Sequence, residues 1–345
     1  MSKVTVLGSG GWGMALAIAA HQKGCDVTLW SPFKEEVENL KTTRTNEKLL
    51  KDIYLPENIE ITDDMSVVEG DTLTIIATPS TAVREVARKL KEYKNFGIVV
   101  NVSKGFEKGS LKRLSEVIAE EIPETPVVAL TGPSHAEEVA RKMPTSIVAA
   151  SNSLVAAQVV QSIMSSQYLK IYTSGDIIGA ELGGALKNII AIAAGVCGGL
   201  GLGDNTRAAL ITRGMTEMAR LGVCMGAKGH TFTGLTGIGD LIVTCMSDHS
   251  RNNRFGRKLG QGVSVKDALE QVGTVEGYYA AEMAHELSLK FGIELPIISE
   301  CYAVLYKGKD VKTALFELMD RPGRSEAWFL YQYIGSTCGL GRYKN

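Results

Sequence analysis

Short runs of β-branched and aliphatic residues alternate with longer stretches of helical spacing through the first half of the chain. Residues 4–7, 26–30, 72–77, 97–101 and 127–130 read as strands, with 146–150 as a further candidate. Between them, residues 13–23, 82–90 and 111–121 repeat apolar positions three and four apart, as helices do. Strands that alternate with helices build βαβ units. The pattern predicts an α/β unit, a Rossmann-type doubly wound parallel sheet with helices on both faces. After about Gly175 the strand-like runs fade, and Ala/Leu/Ile/Gly segments of helical spacing take over at 179–196, 207–221, 265–272 and 276–291. The expected organisation is an N-terminal sheet domain over 1–175 and a C-terminal all-helical domain over 176–345. The final stretch, 325–345, is rich in Tyr and Gly and is given no role.

Composition narrows the class. The 345 residues are 45% hydrophobic, which is enough for two buried cores. Lys plus Arg total 37 against 38 acidic residues, so the net charge is -1. Such balance argues against a nucleic-acid partner or a charged membrane surface. An anionic substrate must then be held by a few local cations. The six cysteines are scattered, with no zinc-finger spacing, and read as reduced core thiols without a metal site. The first strand starts almost at the initiator Met, leaving no secretory leader. The most apolar stretch, 177–202, contains Glu181, Lys187 and Asn188, so a buried core helix is expected rather than a membrane span. These features predict a cytoplasmic protein.

The first candidate chemistry sits at the opening. Gly8, Gly10 and Gly13, with Gly11 and Trp12 between them, form G-x-G-x-x-G directly after a strand and before a helix. The glycines permit a tight turn, close backbone approach to a pyrophosphate, and close helix–strand packing. The helix start adds unpaired N–H groups and partial positive charge. In this strand–turn–helix context the motif predicts a dinucleotide site. The second strand ends at Trp30-Ser31-Pro32 without the carboxylate that would bond a ribose 2′-OH, and Lys34 follows closely. The cofactor is therefore NAD or NADP. Further strand-end turns, at Thr78, Ser103-Lys104-Gly105 and Thr131-Gly132, are expected to wall the same site.

In the helical half, Lys187 lies in an apolar helix with Gly183, Gly184 and Ala191 at helical spacing. Small neighbours leave room for a ligand near the ammonium, and burial lowers a lysine's pKa toward neutrality. Asp240 follows Gly237-Ile238-Gly239, a turn that can bring its carboxylate against such a lysine. Lys104 stands at a strand end, within reach of a carbonyl oxygen or of the cofactor. Ser250 is placed to cap a helix on which Arg251 and Asn252 present a guanidinium fork and helix-end donors to a phosphate. Arg254 and Arg257 read as a solvated basic face. His135 and His249 fall in the candidate loops and are given no catalytic role.

Taken in order, Gly8 to Gly13, Ser103 to Gly105, Gly132 to Ala136, Leu182 to Asn188, Gly237 to Leu241, Ser250 to Asn252 and Val275 to Gly277 closely resemble the bacterial NAD(P)-dependent sn-glycerol-3-phosphate dehydrogenases. The resemblance covers most of residues 4 to about 310. It implies hydride transfer between NAD(P)H and dihydroxyacetone phosphate, giving sn-glycerol 3-phosphate for glycerophospholipid synthesis, in a homodimer. It further implies Lys187 as proton donor and acceptor, aided by Lys104 and Asp240. Gly132, Ser134, Asn188, Thr244, Ser250, Arg251 and Asn252 match positions at the substrate. Ala136, Arg251 and Glu276 match positions at the cofactor. Two other readings share the glycine loop: a 2-dehydropantoate or β-hydroxyacid type of reductase, and a non-catalytic NAD(P)-sensing protein.

Overall fold

In the computed structural model, residues 1–323, 325 and 326 are described. Arg324 and residues 327–345, with Cys338 and most of the Tyr- and Gly-rich end, lie outside the described residues. The strands are β1 (Lys3–Leu7), β2 (Asp26–Trp30), β3 (Glu60–Thr62), β4 (Leu73–Ile76), β5 (Ile98–Asn101), β6 (Val127–Thr131), β7 (Thr145–Ala150) and β8 (Leu169–Ser174). Helices α1 (Gly11–Gln22), α2 (Lys34–Thr43), α3 (Val83–Leu90), α4 (Leu114–Glu121), α5 (Ala136–Ala140) and α6 (Leu154–Met164) connect them.

All eight strands form one sheet in the order β3-β2-β1-β4-β5-β6-β7-β8. The order reverses between β1 and β4, the crevice where open α/β sheets bind ligands. β1 and β2 pair in parallel from Lys3 opposite Asp26 to Leu7 opposite Trp30. Helices cover both faces. Met14, Leu16, Ala156 and Val160 of α1 and α6 share one core with Val6 and Leu29, while Val83, Leu90 and Ile118 of α3 and α4 pack with Leu7 and Ile76 behind.

Two features depart from expectation. β7 runs antiparallel to β6, with Ala129 opposite Ala150, and β8 runs parallel to β7. The sheet is therefore parallel only through its first six strands. A short apolar run such as residues 147–150 reports burial but carries no information on strand direction. β3 and β8, the two edge strands, lack a counterpart among the expected strands. β3 has only three residues, and β8 reads Leu-Lys-Ile-Tyr-Thr-Ser, a brief alternation with Lys170 and Tyr172 exposed.

The second part consists of α7 (Ile177–Gly199), α8 (Asp204–Cys224), α9 (Asp240–Met246), α10 (Arg251–Gly260), α11 (Val265–Val272), α12 (Glu276–Phe291), α13 (Pro296–Lys307) and α14 (Val311–Met319). α7 is long and apolar enough to cross a membrane, but it is the central buried helix of this bundle. Asp176 caps it by accepting from the Gly179 N–H at 2.9 Å. α10 lies against α7 with almost no side chain between them. A Cβ on Gly195 would stand 2.1 Å from the Asn253 carbonyl oxygen, and one on Gly256 would stand 1.9 Å from that of Ile192. That close crossing fixes the start of α10 beside the middle of α7.

Candidate active site

The turns after β1, β4, β5 and β6 stand side by side, because these four strands are consecutive in the sheet and parallel. Gly8 takes φ +127, and a Cβ there would lie 2.6 Å from the Ala77 carbonyl oxygen. A Cβ on Gly13 would lie 1.9 Å from the Gly8 oxygen, so α1 can start against the strand only with glycine there. Gly10, the N-cap of α1, faces open space. The loop is thus a backbone cradle in front of a helix N-terminus, and Thr78 Oγ1 nearby on β4's end is buried without a partner. These residues fit a dinucleotide. Gly11 and Trp12 open α1, half-buried, and Lys34 is exposed at the start of α2. The Ser31 hydroxyl donates to Glu36 at 2.5 Å.

The strand-end loops reach the helical half at Asp240. Lys187 is buried on α7 and donates to Asp240 Oδ1 and, at 2.7 Å, to Thr244 Oγ1. Lys104, from the loop after β5, donates to Asp240 Oδ2 at 2.8 Å. One buried carboxylate therefore holds two ammonium groups, one on each oxygen. Sequence reasoning paired Asp240 with a single lysine. The second partner stands 136 residues away, a separation that no local pattern reports.

The charges of this trio follow from burial and mutual contact. Burial pulls Lys187 down most strongly, Asp240 opposes, and Lys104 adds to the fall, leaving Lys187 at about 8. Burial also works against the charge of Lys104, but its contact with Asp240 outweighs that and raises it. Asp240 is pushed up by burial and pulled down further by the two lysines, so it stays ionised. The result is a lysine with a lowered pKa beside an ionised carboxylate and a second ammonium group.

One other expectation changes. Gly183 and Gly184 make room for protein rather than for a ligand. A Cβ on Gly183 would meet the Thr236 carbonyl oxygen at 2.2 Å, and one on Gly184 would meet Thr131 Oγ1 at 3.0 Å with Lys104 Cδ beyond. The turn expected before Asp240 is a π-helical one, Leu235–Gly239, running into α9. The Thr244 hydroxyl accepts from Lys187 and donates to the Asp240 carbonyl at 2.6 Å, so it orients the lysine.

Around the trio, Asn188 follows Lys187 on α7 and donates to Glu276 Oε2 at 3.3 Å, at the start of α12. Asn252 donates to Asn188 Oδ1 at 3.0 Å and accepts from the Gly277 N–H at 2.8 Å. Its side chain is turned inward, which leaves only its backbone N–H as a helix-end donor. Ser250 caps α10 through the Asn253 N–H at 3.2 Å, and Arg251 stands exposed at the first position of that helix. Gly132 takes φ +138 against Ile147, the Ser134 hydroxyl donates to the Gly132 carbonyl at 3.0 Å, and Ala136 opens α5. His135 and His249 approach with ring centroids 5.6 Å apart, and burial lowers the His135 pKa, which favours a neutral ring.

Sequence reasoning missed one buried group here. Glu181 of α7 accepts from the Ser115 N–H, the Ser115 hydroxyl and Arg113. Its signal was a carboxylate inside an apolar helix, six positions before Lys187.

Comparison with known proteins agrees with this arrangement. The family models described as the N-terminus and the C-terminus of NAD-dependent glycerol-3-phosphate dehydrogenase match residues 3–157 and 176–316. A glycerol-3-phosphate dehydrogenase [NAD(P)+] of Fusobacterium nucleatum is 47% identical over 331 residues, covering 94% of this chain and 99% of that protein. The crystal structure of glycerol-3-phosphate dehydrogenase from Coxiella burnetii superposes with a TM-score of 0.89 at 39% identity, over 93% of this chain and 99% of that one. A ketopantoate reductase from Ralstonia eutropha shares the fold alone, with a TM-score of 0.61 at 16% identity over 91% of this chain and 99% of that one. With a cradle for the dinucleotide, a buried lysine held at one carboxylate, and both halves matched, the chain belongs to the NAD-dependent glycerol-3-phosphate dehydrogenase family.

Proposed function

We propose that Lys187 is the proton donor and acceptor in the interconversion of dihydroxyacetone phosphate and sn-glycerol 3-phosphate. The observation that carries this reading is the single buried carboxylate shared by Lys187 and Lys104. Residues 1–175 would form the cofactor domain and 176–345 the substrate domain, with the cleft between them. Gly8, Gly10, Gly11, Trp12 and Gly13 would cradle the pyrophosphate, with Lys34 near the adenosine ribose and Ala136 and Glu276 along the cofactor. Bound NADH or NADPH would supply the hydride for ketone reduction. Gly132, Ser134, Asn188 and the first turn of α10 would surround the substrate.

Of its three N–H donors, Lys187 uses two on Asp240 and Thr244. The third is available to the ketone oxygen. As the carbonyl carbon is reduced, that oxygen takes the proton from Lys187, leaving a neutral amine that solvent reprotonates. Lys104 supplies a second positive group beside the developing negative charge. Arg251 and the N-terminus of α10 hold the phosphate, since the first helical turn has N–H groups without helical partners. The same reading has the enzyme working as a cytoplasmic homodimer in glycerophospholipid metabolism.

The reading is tested by following NADH and NADPH oxidation by absorbance with dihydroxyacetone phosphate, and in parallel with ketopantoate. Turnover of ketopantoate alone overturns it. The pH dependence has a defined sign. Reduction needs the Lys187 ammonium, so kcat/KM is level below pH 8 and falls as pH rises through about 8. Oxidation needs the free amine and rises through the same region. Profiles in both directions check this, and a reductive limb that stays flat to pH 10 removes Lys187 from proton transfer. Arg251→Ala raises KM for dihydroxyacetone phosphate by about 10- to 100-fold, the loss of one charge-assisted contact, with kcat little changed. An unchanged KM removes its phosphate role.

A further inference from the structure

Lys104 belongs by sequence to the sheet half, yet the segment that carries it is fastened to the helical half. Gly105 follows at φ +129, and Phe106 then leaves the sheet core to join the helical one, buried among residues that include Leu182 and Leu186 of α7. Phe106 pairs across a short hairpin with Arg113, closed by the Glu107 N–H to the Lys112 carbonyl at 3.0 Å. At the hairpin's end three donors converge on Glu181. The Ser115 N–H reaches Oε1 at 2.8 Å, and the Ser115 hydroxyl and Arg113 reach Oε2 at 2.6 and 2.7 Å. All three residues are buried. Lys104 and Glu181 also line one small pocket, with Ser103, Thr131 and Gly184.

We propose that Glu181 is a positioning residue that latches the Lys104-bearing segment onto the helix carrying Lys187, and so holds both ammonium groups at Asp240. Glu181 and Lys187 lie six residues apart on one helix, so a segment docked at Glu181 brings Lys104 to the carboxylate of α9 that Lys187 also holds. Burial alone does not explain the carboxylate, because an apolar residue would fill the space without needing three donors opposite it. The inference rests on the catalytic reading of Lys104.

The test is a double-mutant cycle on the full-length enzyme, reading kcat/KM for dihydroxyacetone phosphate with saturating NADH or NADPH, whichever it uses. Glu181→Gln lowers kcat/KM by about 10-fold through misplacement of Lys104. In a Lys104→Ala background the same change costs less than about two-fold, because its route is already gone. The reductive pH midpoint also rises in Glu181→Gln, since a displaced Lys104 no longer depresses Lys187. Losses that multiply, or an unmoved midpoint, overturn the latch. Undiminished turnover in Lys104→Ala overturns the catalytic reading and the latch with it, which separates the two failures. Ser115→Ala keeps the buried charge pair and deletes the hydroxyl's two hydrogen bonds, to Glu181 and from Arg113, and it replaces Glu181→Gln if that variant does not fold. Through the same cycle it gives a smaller, equally non-additive loss, and additive loss again overturns the proposal.

Discussion

Replacing Lys187 with alanine is expected to slow reduction of dihydroxyacetone phosphate by on the order of 10⁴-fold, the upper range for a lost general acid. Cofactor binding survives, because the glycine cradle lies on β1 and α1 and the lysine lies on α7. The site should not collapse, since Asp240 keeps Lys104 at 2.8 Å as counter-ion. Fluorescence titration with NADH or NADPH, alongside single-turnover reduction, separates binding from chemistry. A variant that binds cofactor normally and still turns over at the native rate would show that the proton comes from elsewhere.

Asp240→Asn is expected to be the more damaging to the fold. The carboxylate is 1% exposed and accepts from both lysines. Its neutral replacement leaves the buried Lys187 and the half-buried Lys104 facing each other without compensation. Breaking a buried pair in this way costs about 3–5 kcal/mol, so Tm falls by on the order of 10 °C. Lys187 loses the anion that raises its pKa, and its titration moves below about 8. At pH 7.5 less of the ammonium remains to donate a proton, and reduction slows. Calorimetry and a repeated pH profile measure the two effects independently. An unchanged Tm and midpoint would mean that the carboxylate bears on neither charge.

Much of this was readable in the chain because it is encoded locally. The glycine spacing at Gly8, Gly10 and Gly13 sits between a run of buried residues and a helix, and the structure forms that strand–turn–helix unit. α11 and α12 follow from the helical spacing of apolar residues over 265–272 and 276–291. The direction of β7 was not encoded locally, since the same short apolar run suits either sense. The purpose of Gly183 and Gly184 also depended on partners distant in sequence, Thr236 and Thr131, that only folding brings near. Glu181 was visible as an oddity in an apolar helix, but its meaning required Arg113 and Ser115 opposite it. Chemistry that two segments assemble is legible only in pieces.

The reversal at β7 sets a length match. β1, β4, β5 and β6 run toward the ligand-binding edge of the sheet, while β7 and β8 run back, so α7 begins near the opposite edge. Ile177 and Ala180 at its start pack with Ala150 at the end of β7. From Ile177 the helix climbs about 15 Å in the ten steps to Lys187, while β6 covers about 13 Å in its four. Lys187 therefore arrives level with the strand ends where the dinucleotide loop waits. Had β7 been parallel, the helix would have started at that edge and carried its lysine out beyond the sheet. In this protein the altitude of Lys187 is measured out by two reversed strands, and an insertion or deletion of one turn before it would mis-set it by about 5 Å.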